Sequence, residues 1–383
     1  MKSRQKTENN KTILVISDLH LGAGPLILGK KNVLEDFRYD KELIDFLHYF
    51  SNGDYESKNV ELVINGDFFD LLAVPFVPFF DDDYWSEEAI LYKLKVIVEA
   101  HLDVVEAMVD FVRRPNKKIV YILGNHDAEL ILEAPRKYFE EIFPLEVRSN
   151  FSFYLEQSGE YWPEKGVLIK HGHEYELAHH FDFKKSIITN EEGRKFFLPP
   201  WGSYYVTRVI NKFKEEREYI NAVRPIRNLL INGLLYDTLF TLRFMLANAF
   251  YFIMVRFISF IKSEKSFRSM LEHAKDELKL FQDYEVLTED FIRSNQDVKV
   301  LIVGHTHNPS YSIYADGSIF INTGTWTNMY HLDFGRRNDW PILTFARIEV
   351  LGEPTHEQVK SSQHLEVMLN VWKGQTSFPY LHY

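Results

Sequence analysis

The chain contains no cysteine. Disulfides are therefore excluded, and so are metal sites built on thiolates, because both need sulfur from cysteine. Any metal ion bound by this protein must sit on histidine, aspartate, asparagine or glutamate.

Positive charge is also in short supply: 44 Lys and Arg stand against 55 Asp and Glu, which gives a formal net charge of −11. Binding to nucleic acid depends on neutralising phosphates with basic patches. We therefore expect no nucleic acid partner and regard a nuclease as a poor candidate. The acidic balance does suit a site built from carboxylates.

Uncharged apolar runs long enough for a secretory leader or a membrane span are missing as well. The first ten residues, MKSRQKTENN, are polar and lack the apolar stretch of a secretory leader, so we expect a cytoplasmic protein with a disordered tail over residues 1–10. The longest uncharged run in the most apolar part of the chain, Phe244 to Val255, is shorter than the roughly 18–20 residues that span a bilayer. We therefore expect no transmembrane helix.

The chain does have a series of short runs rich in Val and Ile, each followed by a polar cluster. Continuous apolar runs of this kind are typical of strands buried on both faces. Helical patterns at Asp40–Phe50 and Glu87–Arg113 separate the first three runs, which predicts an α/β domain of layered α and β elements. The predicted strands are Thr12–Ser17, Glu61–Asn65, Lys118–Leu123, Gly166–Lys170, Val298–Val303 and Ser318–Ile321.

The interval 182–297 differs from the rest. It shows no clear strand pattern, and it has a partly basic first half followed by an almost wholly apolar stretch over 228–261. We predict a helical insertion, or cap, in a core made of residues 11–181 and 298–383. The apolar stretch indicates either a peripheral membrane contact or a helical hairpin packed on the core or on a second subunit. An aromatic content of 15% is compatible with a homodimer.

Residues with metal-ligand chemistry follow five of the predicted strands. Ligands of an open α/β sheet collect beyond the carboxyl ends of its strands, which is where these clusters fall. Residues two apart in an extended segment point the same way, so each such pair can converge on one point. The clusters are Asp18 with His20, Asp67 with Asp70, Asn125 with His126 and Asp127, His171 with His173, and His305 with His307.

These donors are nitrogen and oxygen atoms without sulfur, a set that suits Mn, Fe, Zn or Ni. They are too many for one tetrahedral ion and about enough for two that share a carboxylate. Two ions about 3.5–4 Å apart stabilise both the attacking and the leaving oxygen in a displacement at phosphorus. Each motif alone has an ordinary explanation as core packing or a turn. Five such clusters together would be costly to bury without cations. The sequence therefore predicts a phosphoester hydrolase with two divalent metals, Mn being favoured.

The series SDLHLG, NGDFFD, GNHD, HGH and GHTH, in this order, resembles the calcineurin-like metallophosphoesterase superfamily. The resemblance covers about Lys11–Ile188 and Val298–Val350. It implies a two-sheet αββα sandwich with the metals at its edge. It further implies that Asp18, His20, Asp67 and His307 hold one metal, and that Asp67, Asn125, His171 and His305 hold the other, with Asp67 bridging.

The resemblance also implies roles around the metals. His126 would lie beside the phosphate as general acid or transition-state stabiliser, with Asp127 orienting it. Asp70 matches the family motif as a supporting carboxylate, and His173 is a spare imidazole or a supporting donor. Four other residues stay outside the predicted metal site: His179, His180, Trp326 and Tyr330. The last two are expected to pack at the sheet edge.

Within the superfamily, SDLHLG, GDFFD and HTHNP resemble UDP-2,3-diacylglucosamine diphosphatases, which cleave a pyrophosphate in a lipid-linked sugar nucleotide and cover its acyl chains with a helical insertion. That resemblance implies a lipid substrate and a protein peripheral on the inner face of the membrane. Two features depart from it: His126 stands where those enzymes typically have Arg, and this chain is longer. The alternative is a soluble phosphatase or phosphodiesterase acting on nucleotides or phosphoproteins, with the insertion as a packing or dimer element. A non-enzymatic scaffold is the last option, and it predicts a missing ligand, whereas none is missing.

Overall fold

The computed structural model has two β-sheets face to face, with helices outside them. It describes residues 9–74, 83–156, 158–176, 178–218, 220, 223, 226–262, 284–329, 342–352, 364–374 and 377–379. The larger sheet contains, in spatial order, β16 (Ser377–Pro379), β15 (Leu365–Trp372), β14 (Leu343–Leu351), β1 (Asn9–Ile16), β4 (Val60–Asn65), β5 (Lys117–Ile122) and β6 (Phe151–Tyr154). The smaller sheet contains β12 (Ser310–Ile313), β13 (Ile319–Asn322), β11 (Val300–Val303), β8 (Val167–Ile169) and β7 (Tyr161–Glu164).

The central strands of both sheets are parallel. In the larger sheet β1, β4, β5 and β6 run the same way, and β14 and β15 continue it in antiparallel fashion. In the smaller sheet β8, β11 and β13 are parallel. The carboxyl ends of parallel strands meet at one edge of a sheet, so the loops that follow β1, β4 and β5 are brought together, as are those after β8 and β11.

Helices cover both outer faces of the sandwich. Four of them pack on the larger sheet and one on the smaller, where Ile292 is buried against Leu301. The four are α1 (Asp40–Tyr49), α2 (Glu87–Ala100), α3 (Leu102–Arg113) and α4 (Glu133–Ile142), and the one is α9 (Tyr284–Ser294). Two short hairpins form separate two-stranded sheets: β2 (Leu26–Ile27) with β3 (Lys30–Lys31), and β9 (Ile187–Thr189) with β10 (Lys195–Phe197).

Alternate side chains of each central strand pack into two different hydrophobic cores. In β1, Ile13 and Val15 face the smaller sheet and pack with residues such as Ile302, whereas Leu14 and Ile16 face the helices. All five are fully buried. Burial of each contributes about 1.5–3 kcal/mol, and burial on both faces is why these strands read as unbroken apolar runs. The layered α/β fold predicted from the sequence is confirmed.

Several element bounds differ from the sequence prediction. The disordered tail predicted for residues 1–10 falls mostly on 1–8, which lie outside the described residues, while β1 already includes Asn9. The predicted all-helical interval 182–297 also contains the hairpin β9–β10. The strands β14 and β15, which extend the larger sheet beyond β1, had no counterpart in the prediction. Their antiparallel pairing depends on partners distant in sequence.

The predicted helix at 87–113 is two helices, because the chain leaves helical geometry at His101 (φ −121°, ψ 36°). His101 is buried, with its Nδ1 atom 2.6 Å from the Asp40 carboxylate and its Nε2 atom 3.7 Å from Glu35. Burial lowers the pKa of this imidazole, but the two carboxylates outweigh burial and raise it to about 9. The break therefore places a charged side chain that ties α1 to the α2–α3 junction.

His101→Gln tests this assignment through pH. A raised pKa in the folded state stabilises the protein fully below the unfolded value of 6.5, and this contribution is lost as pH rises through about 9. Between pH 6.5 and 10, the unfolding free energy of wild type should fall by roughly 1–3 kcal/mol relative to the variant. The unfolding free energy at each pH is measured by urea denaturation, monitored by circular dichroism. The exposed His48→Gln on α1 is the control, and it should track wild type.

The hairpin β9–β10 of the insertion is followed by a helical segment, Trp201–Lys214, that we call the cap helix. It consists of α5 (Trp201–Tyr205), a π-helical turn (Val206–Ile210) and α6 (Asn211–Lys214). At one end the Gly202 amide donates to the Ala178 carbonyl (2.8 Å). Near the other, the Asn211 side chain donates to the Leu72 carbonyl (2.8 Å). The cap helix thus bridges two core loops.

Two further helices, α7 (Ile226–Tyr236) and α8 (Thr238–Lys262), lie outside the cap helix. One face of α8 packs on it: Phe240 and Phe244 contact Phe213, and Tyr251 contacts Tyr205. Within the described ranges, no helix combines the length and the hydrophobicity that a bilayer crossing requires.

Candidate metal centre

Five loops at the carboxyl ends of β1, β4, β5, β8 and β11 supply the polar side chains of the site. Their nitrogen and oxygen atoms fall into groups spaced closely enough to hold an ion. Two of these groups contain the ligands predicted from sequence: Asp18, His20 and His307 form one, and Asp67, His171 and His305 form the other.

In the first group, the Nε2 atom of His307 lies 3.0 Å from Nε2 of His20 and 3.4 Å from Oδ1 of Asp18. Asp18 is fully buried, and both of its carboxylate oxygens accept from the backbone amide of His305 (3.1 and 3.0 Å). This contact links the loop after β1 to the loop after β11.

In the second group, the Nδ1 atom of His171 donates to the Asn65 carbonyl (2.7 Å), and its Nε2 atom lies 3.3 Å from Oδ2 of Asp67. Nε2 of His171 and Oδ1 of Asn125 are buried atoms that have no hydrogen-bond partner among the described residues. Unsatisfied buried polar atoms are rare in native proteins. Both atoms are good ligands for a cation, which would account for their lack of a hydrogen-bond partner.

Asp67 faces both groups. Its Oδ2 atom is 3.3 Å from Nε2 of His171 and 3.9 Å from Nε2 of His20, and its Oδ1 atom accepts from the backbone amide of His126 (2.8 Å). A carboxylate in this position can bridge two ions.

Opposite charges dominate the electrostatics of the site. Burial alone would raise the pKa of Asp67, but His171 and His126 hold it well below its ordinary value. In turn, burial would lower the pKa of His171, and the Asp67 carboxylate raises it to about 10. The buried carboxylates thus require a cation, which protons on the imidazoles or divalent metals can supply.

His126 lies at the accessible side of the site, with its ring 4.6 Å from that of His20. Its Nδ1 atom contacts Oδ1 of Asp70 at 2.9 Å. The sequence prediction that Asp127 orients His126 is wrong. The Asp127 carboxylate points into the core, where it accepts from the Gly124 and Phe68 amides (2.6 and 2.9 Å) and the Tyr121 hydroxyl (2.6 Å). Successive side chains point apart, so Asp127 supports the loops instead.

His173 is a core residue. It is buried, stacks on Phe181 with ring centroids 4.9 Å apart, and has its pKa lowered to about 3, chiefly by burial. Trp326, which was expected to pack at the sheet edge, is fully buried in the core, where it donates its indole N–H to the Thr344 carbonyl (2.8 Å) and packs on Phe46. Tyr330 lies outside the described residues.

Sequence reasoning missed the role of the segment Asn322–Trp326. The Thr325 hydroxyl donates to the Asp18 carbonyl (2.6 Å), and the Asn322 amide donates to the Gly304 carbonyl and Thr306 hydroxyl (both 2.9 Å). This segment therefore holds both loops of the first ligand group. The sequence signal that could have identified this segment is its position directly after the predicted strand Ser318–Ile321.

Sequence reasoning also left Glu176 and His179 outside the site. Glu176 Oε2 lies 3.2 Å from Nε2 of His305, and the Nδ1 atom of His179 lies 3.4 Å from Nδ2 of Asn125. His180, its neighbour, is exposed.

The backbone is strained at the ligands themselves. Among the described residues, seven that are not glycine have positive φ, and five of them are Asp18, His20, Asp67, His305 and His307, with φ of 52–69°. This conformation costs roughly 1–3 kcal/mol per residue, and it clusters where structure serves function.

Two glycines allow the loops to approach closely. A Cβ atom on Gly66, which has φ of +80°, would lie 2.3 Å from Nδ1 of His171, and one on Gly124 would lie 2.2 Å from Oδ1 of Asp67. Any side chain at these positions would displace a predicted ligand.

A sandwich of two mixed sheets flanked by helices, with His and Asp clusters at its edge, defines a metallophosphoesterase-type α/β fold. The sequence pattern of the calcineurin-like phosphoesterase family matches residues 11–309. The chain therefore belongs to this family. It is a metal-dependent phosphoester hydrolase with candidate His and Asp metal sites.

The solved structures that are similar to this chain share little sequence with it. A dimetal phosphatase from Danio rerio is 13% identical, with 98% of this chain and 100% of that chain covered and a TM-score of 0.39. A 5′-nucleotidase from Candida albicans is 11% identical, with 95% and 52% covered and a TM-score of 0.34. A zinc complex of Vps29 from Entamoeba histolytica is 23% identical, with 25% and 44% covered and a TM-score of 0.17. Sequence identities and TM-scores this low say nothing about the substrate of this chain. No curated protein matches the chain.

Proposed function

We propose that seven side chains hold two divalent metal ions, with Mn favoured, and that the pair hydrolyses a phosphoester or pyrophosphate bond. The observation that carries this proposal is the convergence of two His and Asp groups on the buried Asp67 carboxylate, which lies 3.3 Å from Nε2 of His171 and 3.9 Å from Nε2 of His20. The proposed ligands are Asp18, His20, Asp67, Asn125, His171, His305 and His307.

The bound metals would supply charge to stabilise the phosphoryl oxygens and activate the water that attacks phosphorus. Residues of the chain hold the metals, donate a proton and orient the proton donor. Asp67 holds the two ligand groups together. His126 donates a proton to a substrate oxygen through Nε2, because Asp70 fixes its Nδ1 atom. Asp70 thereby sets both the tautomer and the orientation of the ring.

Removal and return of metal tests the proposal. Protein demetallated with a chelator should have no hydrolytic activity, and activity should return with Mn, Fe, Zn or Ni, most strongly with Mn. Bound metal is measured by mass spectrometry of the dialysed protein, and turnover is measured on a panel of phosphomonoesters, diesters and a UDP-linked lipid in detergent. Full activity in the metal-free protein, or fewer than two ions per chain at saturation, would refute it.

We further propose that the substrate is a lipid-linked pyrophosphate and that the protein meets the inner face of a membrane through its insertion. The position of the cap helix supports this substrate class. It touches Ala178 at one end and Leu72 at the other, and these core loops also carry His171 and Asp70. A substrate held at the metals therefore has the insertion beside it.

The outer face of α8 supports the same proposal. Leu239, Leu246 and Phe250 are 79%, 69% and 70% exposed, and Leu242 and Ile253 continue the row at helical spacing. We call these five residues the apolar stripe. The opposite face of α8 is already packed on the cap helix, so the stripe is a second apolar face. Exposed apolar surface of this extent is typical of a contact with lipid or protein.

Charge substitution in the apolar stripe tests this contact. Because each large apolar side chain contributes about 1.5–3 kcal/mol when buried, Leu246→Glu with Phe250→Glu should weaken co-sedimentation with anionic phosphatidylglycerol vesicles by at least about tenfold. Leu145→Glu, an equally exposed leucine in the core domain, should bind vesicles like wild type.

Sedimentation velocity separates the competing interpretations. If wild type forms a dimer that the stripe variant loses, and vesicle binding is absent at low salt, the stripe is a subunit interface. Turnover on soluble esters alone would then identify a soluble phosphatase or phosphodiesterase.

A further inference from the structure

Metal-ligating histidines usually place their second ring nitrogen on an oxygen atom, which fixes the ring and raises its basicity. The proposed ligands follow this rule. His171 uses the Asn65 carbonyl (2.7 Å) for its Nδ1 atom. His20 has its Nδ1 atom 3.5 Å from Oδ2 of Asp70. Both partners lie in the strand-end motifs themselves.

His305 finds its partner elsewhere. Oε2 of Glu176 lies 3.2 Å from Nε2 of His305, and Glu176 stands outside every motif that predicted the site. His305 is proposed as a ligand of the second metal. A carboxylate at Nε2 would leave Nδ1 for the ion.

His179, three residues after Glu176, contacts Asn125, another ligand assigned to the second metal alone. Its Nδ1 atom lies 3.4 Å from Nδ2 of Asn125, and its Nε2 atom lies 3.6 Å from Oε2 of Glu176. When neutral His179 carries its proton on Nε2, Nδ1 accepts from the Asn125 amide nitrogen. The Asn125 oxygen, which is buried and unpartnered, then faces the site.

We propose that Glu176 and His179 are positioning residues of the second metal, acting through His305 and Asn125; this rests on the two-metal function proposed above. The two contacts fall on His305 and Asn125, two of the three ligands that are assigned to the second ion alone. Glu176 holds an imidazole by charge, and His179 sets which amide atom faces the ion. Together they raise the affinity of the second site alone.

The same side chains do not make a third ion site. Beyond the already engaged His305, the trio Glu176, His179 and His305 offers only two new donors, and both are partly exposed. Protein metal sites generally use three or four protein ligands. A separate ion would also leave the contact between His179 and Asn125 unexplained.

The cap helix of the insertion contacts the part of the chain that carries Glu176 and His179. The Gly202 amide of the cap helix donates to the Ala178 carbonyl (2.8 Å), between the two positioning residues. A Cβ atom on Gly202 would lie 2.5 Å from that carbonyl oxygen and 2.8 Å from the His179 ring. The cap helix therefore holds Ala178, next to His179, and the affinity for the second metal depends on where the cap helix sits.

Metal titration of the full-length protein tests the inference. Isothermal titration of demetallated wild type with Mn²⁺ should resolve two sites. Glu176→Gln and His179→Ala should each weaken the second site by about 10–100-fold and leave the first unchanged. Glu176→Asp should restore part of the loss, and Gly202→Ala should weaken the same site. His180→Ala, the exposed neighbour, should titrate like wild type.

The possible results separate the two proposals. Two wild-type sites that Glu176→Gln leaves unchanged, or weakens equally, would overturn the positioning role while the two-metal function stands. A third wild-type ion lost in Glu176→Gln would overturn it in favour of direct ligation. Wild type with fewer than two sites would overturn both proposals. Thermal unfolding by circular dichroism verifies that each variant is folded. If Glu176→Gln does not fold, the metal affinity of Glu176→Asp decides the test.

Discussion

Asp67→Asn is expected to lower kcat for phosphoester hydrolysis by ~10³-fold or more. Asp67 is the one carboxylate among the described residues that faces both ligand groups, through His171 at 3.3 Å and His20 at 3.9 Å. An amide has no negative charge with which to hold two cations together. We therefore expect the variant to lose bound metal along with activity, and both are measured on the same dialysed sample.

The control for Asp67→Asn is Asp45→Asn, an equivalent change at an exposed position of α1. It should match wild type in metal content and turnover. Circular dichroism should show that both variants are folded. A residual activity of Asp67→Asn within tenfold of wild type, at full metal occupancy, would contradict the bridging role.

Asp70→Asn is expected to lower kcat by about 10–100-fold and to move the alkaline limb of the pH–rate profile to lower pH. Burial lowers the pKa of His126, but Asp70 and Asp67 outweigh it and raise it to about 9. A proton donor loses activity as pH rises through its pKa. Removing the Asp70 charge takes away attraction for the proton, so the pKa falls and the limb shifts towards acid.

The double variant Asp70→Asn with His126→Gln isolates this coupling. If Asp70 acts through His126, the double variant should be no slower than His126→Gln alone, and its alkaline limb should not shift further. Metal content is followed in parallel because Asp70 also lies near His20. An unshifted alkaline limb in the single variant would show that His126 is not the titrating donor.

The sequence predicted the layered fold well because its cause is local. Strands buried on both faces must be apolar throughout, and the runs at Thr12–Ser17 and Val298–Val303 show that pattern without any long-range information. Residues such as Asp18 and His305 were predicted to meet because the carboxyl ends of parallel strands share an edge within each sheet and the resemblance implies that the metals lie at the edge of the two-sheet sandwich. The structure brings them together through the His305 amide and the Asp18 carboxylate.

What the sequence did not predict depends on loop geometry. Asp127 follows His126 directly, yet its carboxylate turns into the core and leaves the imidazole to Asp70, three residues beyond Asp67. Aspartate and histidine adopt left-handed backbone more often than most residues, but their presence alone does not predict it, because the surrounding structure has to hold them there. Glu176 reaches the site through a turn held partly by the distant cap helix, which no local pattern encodes.

The direct pairing of β8 with β11 has a consequence for how this chain acquires specificity. Ile169 pairs with Ile302 and Val167 with Val300, although the whole insertion lies between them. Closing a loop costs free energy that grows only with the logarithm of its length. A connection of a dozen residues would suffice for a parallel crossover, so the remainder is thermodynamically cheap to lengthen, shorten or exchange. The sandwich can therefore acquire new substrates by replacing this segment while every strand keeps its neighbours.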